Sequence, residues 1–235
     1  MIELSDREYL VKKWLPLASA VFWCCMIISA VLYPPEEKFS ILTHSISFLG
    51  DWYDNPFPGW LFFTIALIWG GVSFFPLGLY IYRRMRVVAP RMAALCEFFH
   101  ALGCVGVVLV GIFCDTRETT FLGVEISDIH NIVSVIGFGG VGLAMIIYAF
   151  FPCREKRKNY SKPMYLSNHR LFLPNFVLLF GIVGMAASQL GRLILGYDDF
   201  PGPGIYSFTL WEWILLFCIW LYHWIMIVVL PKEIP

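Results

Sequence analysis

The sequence predicts an all-α, polytopic membrane protein with six transmembrane helices. Of its 235 residues, 59% are hydrophobic and only 14% are charged, and the mean hydropathy is +0.71. Soluble domains carry about 25% charged residues. Six stretches reach the roughly 20 apolar residues that a helix needs to cross hydrocarbon; they lie at about residues 14–33, 59–82, 92–113, 131–151, 172–195 and 210–230. Because such a bundle shares one interior, residues 1–235 are predicted to form a single transmembrane domain.

The first stretch, "WLPLASAVFWCCMIISAVLY", is longer than the apolar region of a signal peptide, and no small-residue cleavage site follows it. It is therefore predicted to be a retained membrane helix. The fourth and fifth stretches contain "GFGGVGLA" and "GIVGMAASQLG". Small residues in such patterns favour close helix packing in membranes. Hydrophobic periodicity does not distinguish a buried face from a lipid-facing one in these helices, because a helix in lipid is apolar on every side.

The distribution of Lys and Arg predicts the orientation of the bundle. Fourteen of the 17 basic residues fall in the N-terminal tail, in the loops after helices 2 and 4, and in the C-terminal tail. Both termini are therefore predicted to be cytoplasmic. The net charge is zero, which argues against a nucleic-acid partner, because phosphate binding needs a basic surface.

Loop 1, between the first two helices, contains the segment "FSILTHSISFLG". It is too short to cross the membrane and too apolar to lie in water. It predicts a short interfacial or re-entrant helix at the bundle mouth, ending at Gly50. On such a helix, His44 and Ser47 would share a face. Irregular backbone at this depth requires protein or a water-filled cavity around it.

Further polar residues fall at the same predicted depth, on the extracytoplasmic side. Ionisable groups within spans are costly and mark functional sites. We therefore predict a polar pocket at the extracytoplasmic mouth that contains His44, Ser47, Asp115, His130, Arg192 and Glu212.

Structural roles are the alternatives for these residues. Arg192 and Glu212 would form an ion pair between helices 5 and 6. Asp115 would end its helix in water, and His130 would belong to a helix cap. Ser47 would bond its own backbone.

The other polar residues give weaker indications of a functional site. Glu97 and His100 lie one turn apart on helix 3, where a packing or paired-charge role is expected, and His223 is expected to be a satisfied histidine of the bundle. The seven cysteines include no CxxC pair, so no zinc knuckle or redox pair is indicated.

The motifs resemble a known family. The segments "HSISFLG…NPFPGWLFF", "GIFCDT" closing helix 3 and "IHN" opening helix 4 resemble the six-helix membrane proteins called domain of unknown function 998. The resemblance covers about residues 14–230 and implies a fold and a membrane location. The pattern is also distantly similar to the damage-regulated autophagy modulator group. The family often has proline before the aspartate, where this chain has Cys114.

A second resemblance is to the alkaline ceramidase and progestin-receptor superfamily, which builds a zinc site from Ser, Asp and His near one membrane face. Ser47, Asp115, His130 and His44 are comparable residues here. That superfamily has seven helices and a late HxxxH motif. This chain has six predicted helices, and no two of its histidines are four residues apart.

Three functions are compatible with these residues. The first is binding or handling of a membrane lipid, with Arg192, Glu212, His130 and Ser47 at the headgroup. The second is a zinc-dependent lipid hydrolase, with His44, His130 and Asp115 as metal ligands and His44, Ser47, Asp115 and His130 as catalytic candidates. The third is a small-solute or proton-coupled transporter, which would need polar groups near the midplane. Membrane lipids are the predicted partners, and zinc enters only with the second function.

Overall fold

The computed structural model describes residues 6–86, 89–116, 119–155, 168–196 and 204–230. Six helices in these residues are long and apolar enough to cross a membrane, so the prediction of a six-helix, all-α membrane protein is confirmed. They are α1 (Arg7–Val31), α2 (Gly59–Met85), α3 (Pro90–Ile112), α4 (Ile126–Glu155), α5 (Asn168–Leu195) and α6 (Phe208–Val229).

Several helices extend beyond their predicted apolar cores. Helix α1 begins at Arg7 rather than near residue 14, because the Asp6 side chain accepts the Glu8 N–H at 3.0 Å and caps it. Helix α4 begins at Ile126, so His130 lies one turn inside it rather than at its start. Hydropathy marks the part of a helix that lies in lipid, whereas capping decides where the helix begins.

Each of the first four helices packs against the next one in the chain, and α5 packs mainly against α6. Aromatic side chains join α6 to the first helices: the Trp220 ring lies 4.9 Å from the Phe22 ring and 4.7 Å from the Phe74 ring. The Trp224 indole N–H donates to Ser19 Oγ at 2.9 Å. Large aromatic residues therefore close the bundle.

Glycines bring α3 and α4 into backbone contact. A Cβ atom built on Gly106 would lie 2.5 Å from the Gly137 Cα, and one built on Gly140 would lie 2.8 Å from the backbone nitrogen of Gly103. Gly139 faces open space, with nothing within 4 Å of an added Cβ. The predicted small-residue packing of "GFGGVGLA" is confirmed, and it uses one face of α4.

Helix α1 begins and helix α6 ends at the same end of the bundle. Arg7 at the start of α1 donates through Nε to Ile227 O at 3.0 Å and through Nη2 to Val228 O. This cation meets the carbonyl end of α6, where the helix dipole is negative. We call this the terminal end, and the opposite one the loop-1 end.

The side of the membrane that the terminal end faces stays a prediction. The predicted orientation depends largely on the basic residues of the loop after helix 4. These residues, or their side chains, lie outside the described part of the chain: Arg154, Lys156, Arg157, Lys158, Lys162 and Arg170.

The β-structure in the described residues is one small hairpin. Strand β1 (Thr120–Phe121) pairs antiparallel with β2 (Val124–Glu125), between α3 and α4. The turn residues Leu122 and Gly123 both have positive φ, 53° and 81°. The Phe121 ring lies 5.5 Å from the Phe113 ring, which places the hairpin beside the end of α3.

The glycine contact can be tested with a pair of variants on one helix. Gly140→Ala should lower the free energy of unfolding by about 1–3 kcal/mol, because the methyl group would push α4 away from Gly103. Gly139→Ala should be neutral or stabilising by up to about 1 kcal/mol, because alanine favours helix and the position is open. Unfolding in detergent measures both. Equal stability of the two variants would contradict the close approach.

Candidate functional site

Loop 1 is held at the mouth of the bundle by the first turns of α6. Four side chains of this helix bond to the loop backbone, three as donors and one as acceptor. The bonds are Ser207 Oγ to Leu42 O (2.7 Å), Thr209 Oγ1 to Ile41 O (3.0 Å), Trp213 Nε1 to His44 O (3.3 Å) and Ile46 N to Glu212 Oε2 (2.9 Å). These contacts connect the first loop of the chain with its last helix.

The loop backbone needs these partners because residues 41–45 form neither helix nor strand. Unpaired backbone groups at the edge of a membrane cost several kcal/mol each, as an order of magnitude. Helix α6 begins beside the loop because Ser207 caps it, accepting the Leu210 N–H at 3.3 Å. Helical periodicity then brings Thr209, Glu212 and Trp213 close together on the side that faces the loop.

The Ile46–Gly50 segment forms a short 3₁₀ helix that ends at Gly50. The predicted short helix is therefore present, but it begins after His44. The expectation that His44 and Ser47 share a helical face is wrong. A Cβ at Gly50 would lie 2.5 Å from the Phe63 ring and 3.2 Å from the Cys114 Cβ, so the loop rests directly on α2 and on the end of α3.

The second half of loop 1 is fixed by Asn55, which the sequence analysis did not single out. Its Nδ2 donates to Leu49 O at 2.8 Å and to Ser29 Oγ at 3.1 Å, and the residue is fully buried. The sequence signal is an Asn-Pro pair, which marks a turn. Turn residues are usually exposed, so the pattern did not indicate a buried contact with α1.

His44 lies among aromatic rings. The rings of Tyr33, Phe39 and Phe48 lie 5.3–5.5 Å from its imidazole. Its Nδ1 is 2.8 Å from Thr43 Oγ1 and 3.3 Å from the Ser40 nitrogen, whose N–H donates to it. The ring therefore packs inside the loop and uses one nitrogen locally.

His130 joins α4 to the end of α3. Its Nδ1 lies 2.7 Å from the Phe113 carbonyl oxygen. Since a carbonyl only accepts, the histidine carries a proton on Nδ1. Phe113 follows the last turn of α3, where carbonyls lack helical partners, so His130 completes this helix end.

Three acidic side chains, those of Asp51, Asp115 and Glu212, lie at the mouth. Asp51 and Glu212 each lie close enough to Asp115 for their charges to interact. Asp51 is only 6% exposed, and its Oδ1 accepts the Tyr53 N–H at 2.9 Å. Burial raises the pKa of Asp51, and the charges of Asp54 and Asp115 add to this, although the bond from Tyr53 opposes it. Burial also raises the pKa of the Cys114 thiol beside them.

The predicted zinc ligands do not come together as a metal site. Across the described part of the chain, no group of three or more His, Cys, Asp or Glu is placed to hold a metal ion. His44 and His130 each use Nδ1 for a local hydrogen bond. Asp115 neighbours other carboxylates instead.

The remaining predicted residues are placed as follows. Ser47 shares a hydrogen bond with the Ser45 hydroxyl at 2.8 Å rather than with its own backbone. Glu212 accepts from the loop backbone. The side chain of Arg192 lies outside the described residues, so its predicted pairing with Glu212 stays a prediction.

A pair of buried histidines was also missed. His100 on α3 and His223 on α6 face each other with Nε2 atoms 3.1 Å apart. His223 Nδ1 lies 2.8 Å from Ile219 O and must donate to it, so its Nε2 accepts from His100. His100 Nδ1 then faces Cys104 Sγ at 3.6 Å. Sequence reasoning treated each histidine separately, because no local pattern joins residues on two helices.

An apolar cavity lies below the mouth. Its free volume is about 10 Å³, roughly the space of one water molecule, and five helices line it through Phe22, Leu67, Phe74, Val107, Phe138, Val141, Leu216 and Ile219. Leu216 lies one helical turn below Glu212 on the same side of α6. The mouth and the cavity therefore form a polar layer above an apolar one.

A comparison with known families identifies the one to which the chain belongs. The profile of the family described as Protein of unknown function (DUF998) matches residues 16–229. Searches of curated proteins and of solved structures return no match. The similarity to the damage-regulated autophagy modulator group stays a prediction.

The contact between Glu212 and loop 1 can be tested by replacing its oxygen acceptor. Glu212→Met should lower the free energy of unfolding by about 1–3 kcal/mol, because the Ile46 N–H loses its acceptor. Glu212→Gln keeps an acceptor oxygen and should stay close to the wild type. Hydrogen exchange of residues 41–50 should accelerate in the methionine variant alone. Unchanged exchange there would show that Glu212 does not hold the loop.

The burial of Asp51 predicts a pH dependence of stability. Because burial raises its pKa in the folded state, Asp51 favours folding at low pH, and this contribution is lost as the pH rises through the folded-state pKa. Asp51→Asn keeps the acceptor for the Tyr53 N–H but cannot ionise. The variant should therefore be at least as stable as the wild type at neutral pH and should lose this advantage in acid. Thermal unfolding across pH measures the difference, and a constant offset would contradict the assignment.

Proposed function

Since the chain belongs to the family of membrane proteins described as Protein of unknown function (DUF998), we propose that it binds a membrane lipid, with an acyl chain in the cavity and the headgroup at the loop-1 mouth. The observation that supports this most directly is the order of the two layers. Glu212 at the mouth lies one turn above Leu216 in the cavity. Such an arrangement is complementary to an amphipathic molecule with one polar end.

The charge of the mouth favours a headgroup with a positive charge or with hydrogen-bond donors. The carboxylates of Asp51, Asp115 and Glu212 are close enough to interact. An amine-bearing headgroup would be attracted to them, whereas an anionic headgroup would be repelled. His130 contributes less to binding an anion than the sequence indicates, because its Nδ1 proton is already donated to Phe113 O.

The rim of the mouth also suits a lipid environment. Three loop residues expose apolar side chains: Phe57 in loop 1 (72% exposed), Leu122 in the hairpin (89%) and Ile205 before α6 (68%). Exposed apolar groups are costly in water but favourable in the headgroup region of a bilayer. A lipid would then enter the mouth sideways from the membrane, without crossing bulk water.

The size of the cavity limits the ligand. Its free volume of about 10 Å³ is roughly the space of one water molecule, so an acyl chain would enter only by moving the side chains that line it. One chain, or part of one chain, would require a smaller rearrangement than the two chains of a phospholipid. The second chain would remain in the surrounding bilayer, beside the lipid-facing helices.

Filling the cavity tests the proposal. The protein is purified from membranes that contain phosphatidylethanolamine and phosphatidylglycerol, and retained lipid is measured by mass spectrometry. Leu216→Trp should reduce the retained lipid several-fold, because the indole would occupy the cavity. Leu193→Trp is the matched control, since Leu193 is 75% exposed on α5. The milder variant Val107→Leu should give a smaller loss.

The same measurement can overturn the proposal. Both variants must elute as folded protein, which thermal unfolding confirms. Equal lipid retention in the Leu216→Trp and Leu193→Trp proteins would show that the cavity does not hold lipid. Preference for phosphatidylglycerol would contradict the inferred headgroup charge while leaving the chain site intact.

A further inference from the structure

Helices α4 and α5 are joined near the terminal end and separate toward the loop-1 end. Near the terminal end, Asn175 Nδ2 on α5 donates to Ala149 O on α4 at 3.4 Å, and Leu178 on α5 is buried. Gly142 and Val135 lie about two and about four turns from Ala149, on the same side of α4. Val135 is 74% exposed, and a Cβ atom built on Gly142 would have nothing within 4 Å. Helix α5 therefore covers this side of α4 at one end, and a crevice opens between the two helices.

The α4 wall of the crevice is formed by glycine backbone. Gly142 and Gly139, about one turn apart, are both open to a distance of 4 Å around an added Cβ. Carbon atoms make van der Waals contact at about 3.5–4.0 Å, so a methylene chain can lie directly against α4 here. The contact with α3 uses Gly137 and Gly140 instead. Glycine destabilises a helix by roughly 0.5–1 kcal/mol relative to alanine, and packing within the described part of the chain does not require it at the two open positions.

Gln189 on α5 supplies a polar group to the crevice. It lies about four turns from Asn175 on the side of α5 that is turned toward α4. The Gln189 Nε2 atom is buried, and no acceptor for it lies among the residues that the structure describes. A buried amide without a hydrogen bond costs roughly 2–7 kcal/mol in an apolar environment. An acceptor supplied by the membrane would remove this cost.

The depth of Gln189 indicates which acceptor the membrane can supply. Helix α5 ends at Leu195, so Gln189 lies about 9 Å below that end at a rise of 1.5 Å per residue. The helix is longer than the hydrocarbon core, which is about 30 Å thick, so its end extends into the headgroup region. Gln189 is then close to the boundary between headgroups and hydrocarbon. Ester carbonyls join the acyl chains of glycerolipids at this level, and a carbonyl oxygen accepts an amide N–H.

We propose that the crevice between α4 and α5 is a lateral binding site for an acyl-ester lipid. One acyl chain lies along Gly139 and Gly142, and its ester carbonyl accepts the N–H of Gln189 Nε2. The site is on the lipid-facing side of α4, whereas the cavity lies on the inner side, where Phe138 lines it. The crevice therefore binds its lipid whether or not the cavity is occupied, and this inference goes beyond the function proposed above.

Photolabelling of the full-length protein tests the crevice. Two phosphatidylethanolamines carry a diazirine in one chain; the first has ester-linked chains, and the second has ether-linked chains without carbonyls. Each is mixed into phosphatidylglycerol vesicles that contain the protein, and peptide mass spectrometry locates the adducts. The ester lipid should label residues 135–142 several-fold more than the ether lipid does, because only the ester accepts from Gln189.

Two pairs of variants separate the amide from the space. Gln189→Leu should make the two lipids label equally, and it should fold, because it removes a polar group that lacks a partner. Leu190→Ala is its control: Leu190 is 58% exposed, and this variant should keep the preference for the ester. Gly142→Phe should reduce labelling by both lipids several-fold, because the ring fills the crevice. Leu143→Phe, on the adjacent face of α4, should not.

Three results would overturn the proposal. Equal labelling of the wild type by the ester and ether lipids would show that Gln189 does not anchor a lipid. Labelling of residues 135–142 no stronger than that of Leu143 would show that the crevice holds no chain. Adducts between two copies of the chain in place of lipid adducts would show that a second copy fills it. Leu216→Trp should leave crevice labelling unchanged, so failure here is separable from failure of the cavity site.

Discussion

The arrangement of this protein depends on one requirement: the irregular backbone of loop 1 must find hydrogen-bond partners at the edge of the membrane. Residues 41–45 form neither helix nor strand, so their backbone groups have no regular partners within the loop. Helix α6 provides them through Ser207, Thr209, Glu212 and Trp213. The bundle can close only with its last helix against its first loop. Arg7 makes the reciprocal contact at the opposite end, where α1 caps the carbonyls of α6.

This requirement changes how the polar residues of the mouth are understood. Glu212 and His130 look like ligand groups in the sequence, yet each bonds to a backbone group: Glu212 to the Ile46 N–H and His130 to the Phe113 carbonyl. The mouth is thus built first of all from groups that complete the fold. The carboxyl groups of the mouth and the apolar cavity beneath it are the features that stay available to a ligand. Structural and binding roles are therefore superimposed on the same few residues.

Along the bundle axis, polar and apolar layers alternate. The acidic mouth lies above the apolar cavity, and the histidine pair lies below it. Phe74 and Ile219 belong to the boundary, because they line the cavity on one side and contact His223 on the other. A ligand in the cavity would therefore contact side chains that pack against the histidine pair.

The sequence by itself determined the six spans, the membrane location, the glycine face of α4 and the short helix that ends at Gly50. Each of these follows from local composition, since hydrophobic length and small-residue spacing act within one segment. The tertiary structure alone decided the partners. Asn55 reaches α1, His100 meets His223 across two helices, and His130 meets the Phe113 carbonyl. Such pairings depend on how helices rotate and approach one another, and a helix that is apolar on every side carries no pattern that specifies its rotation.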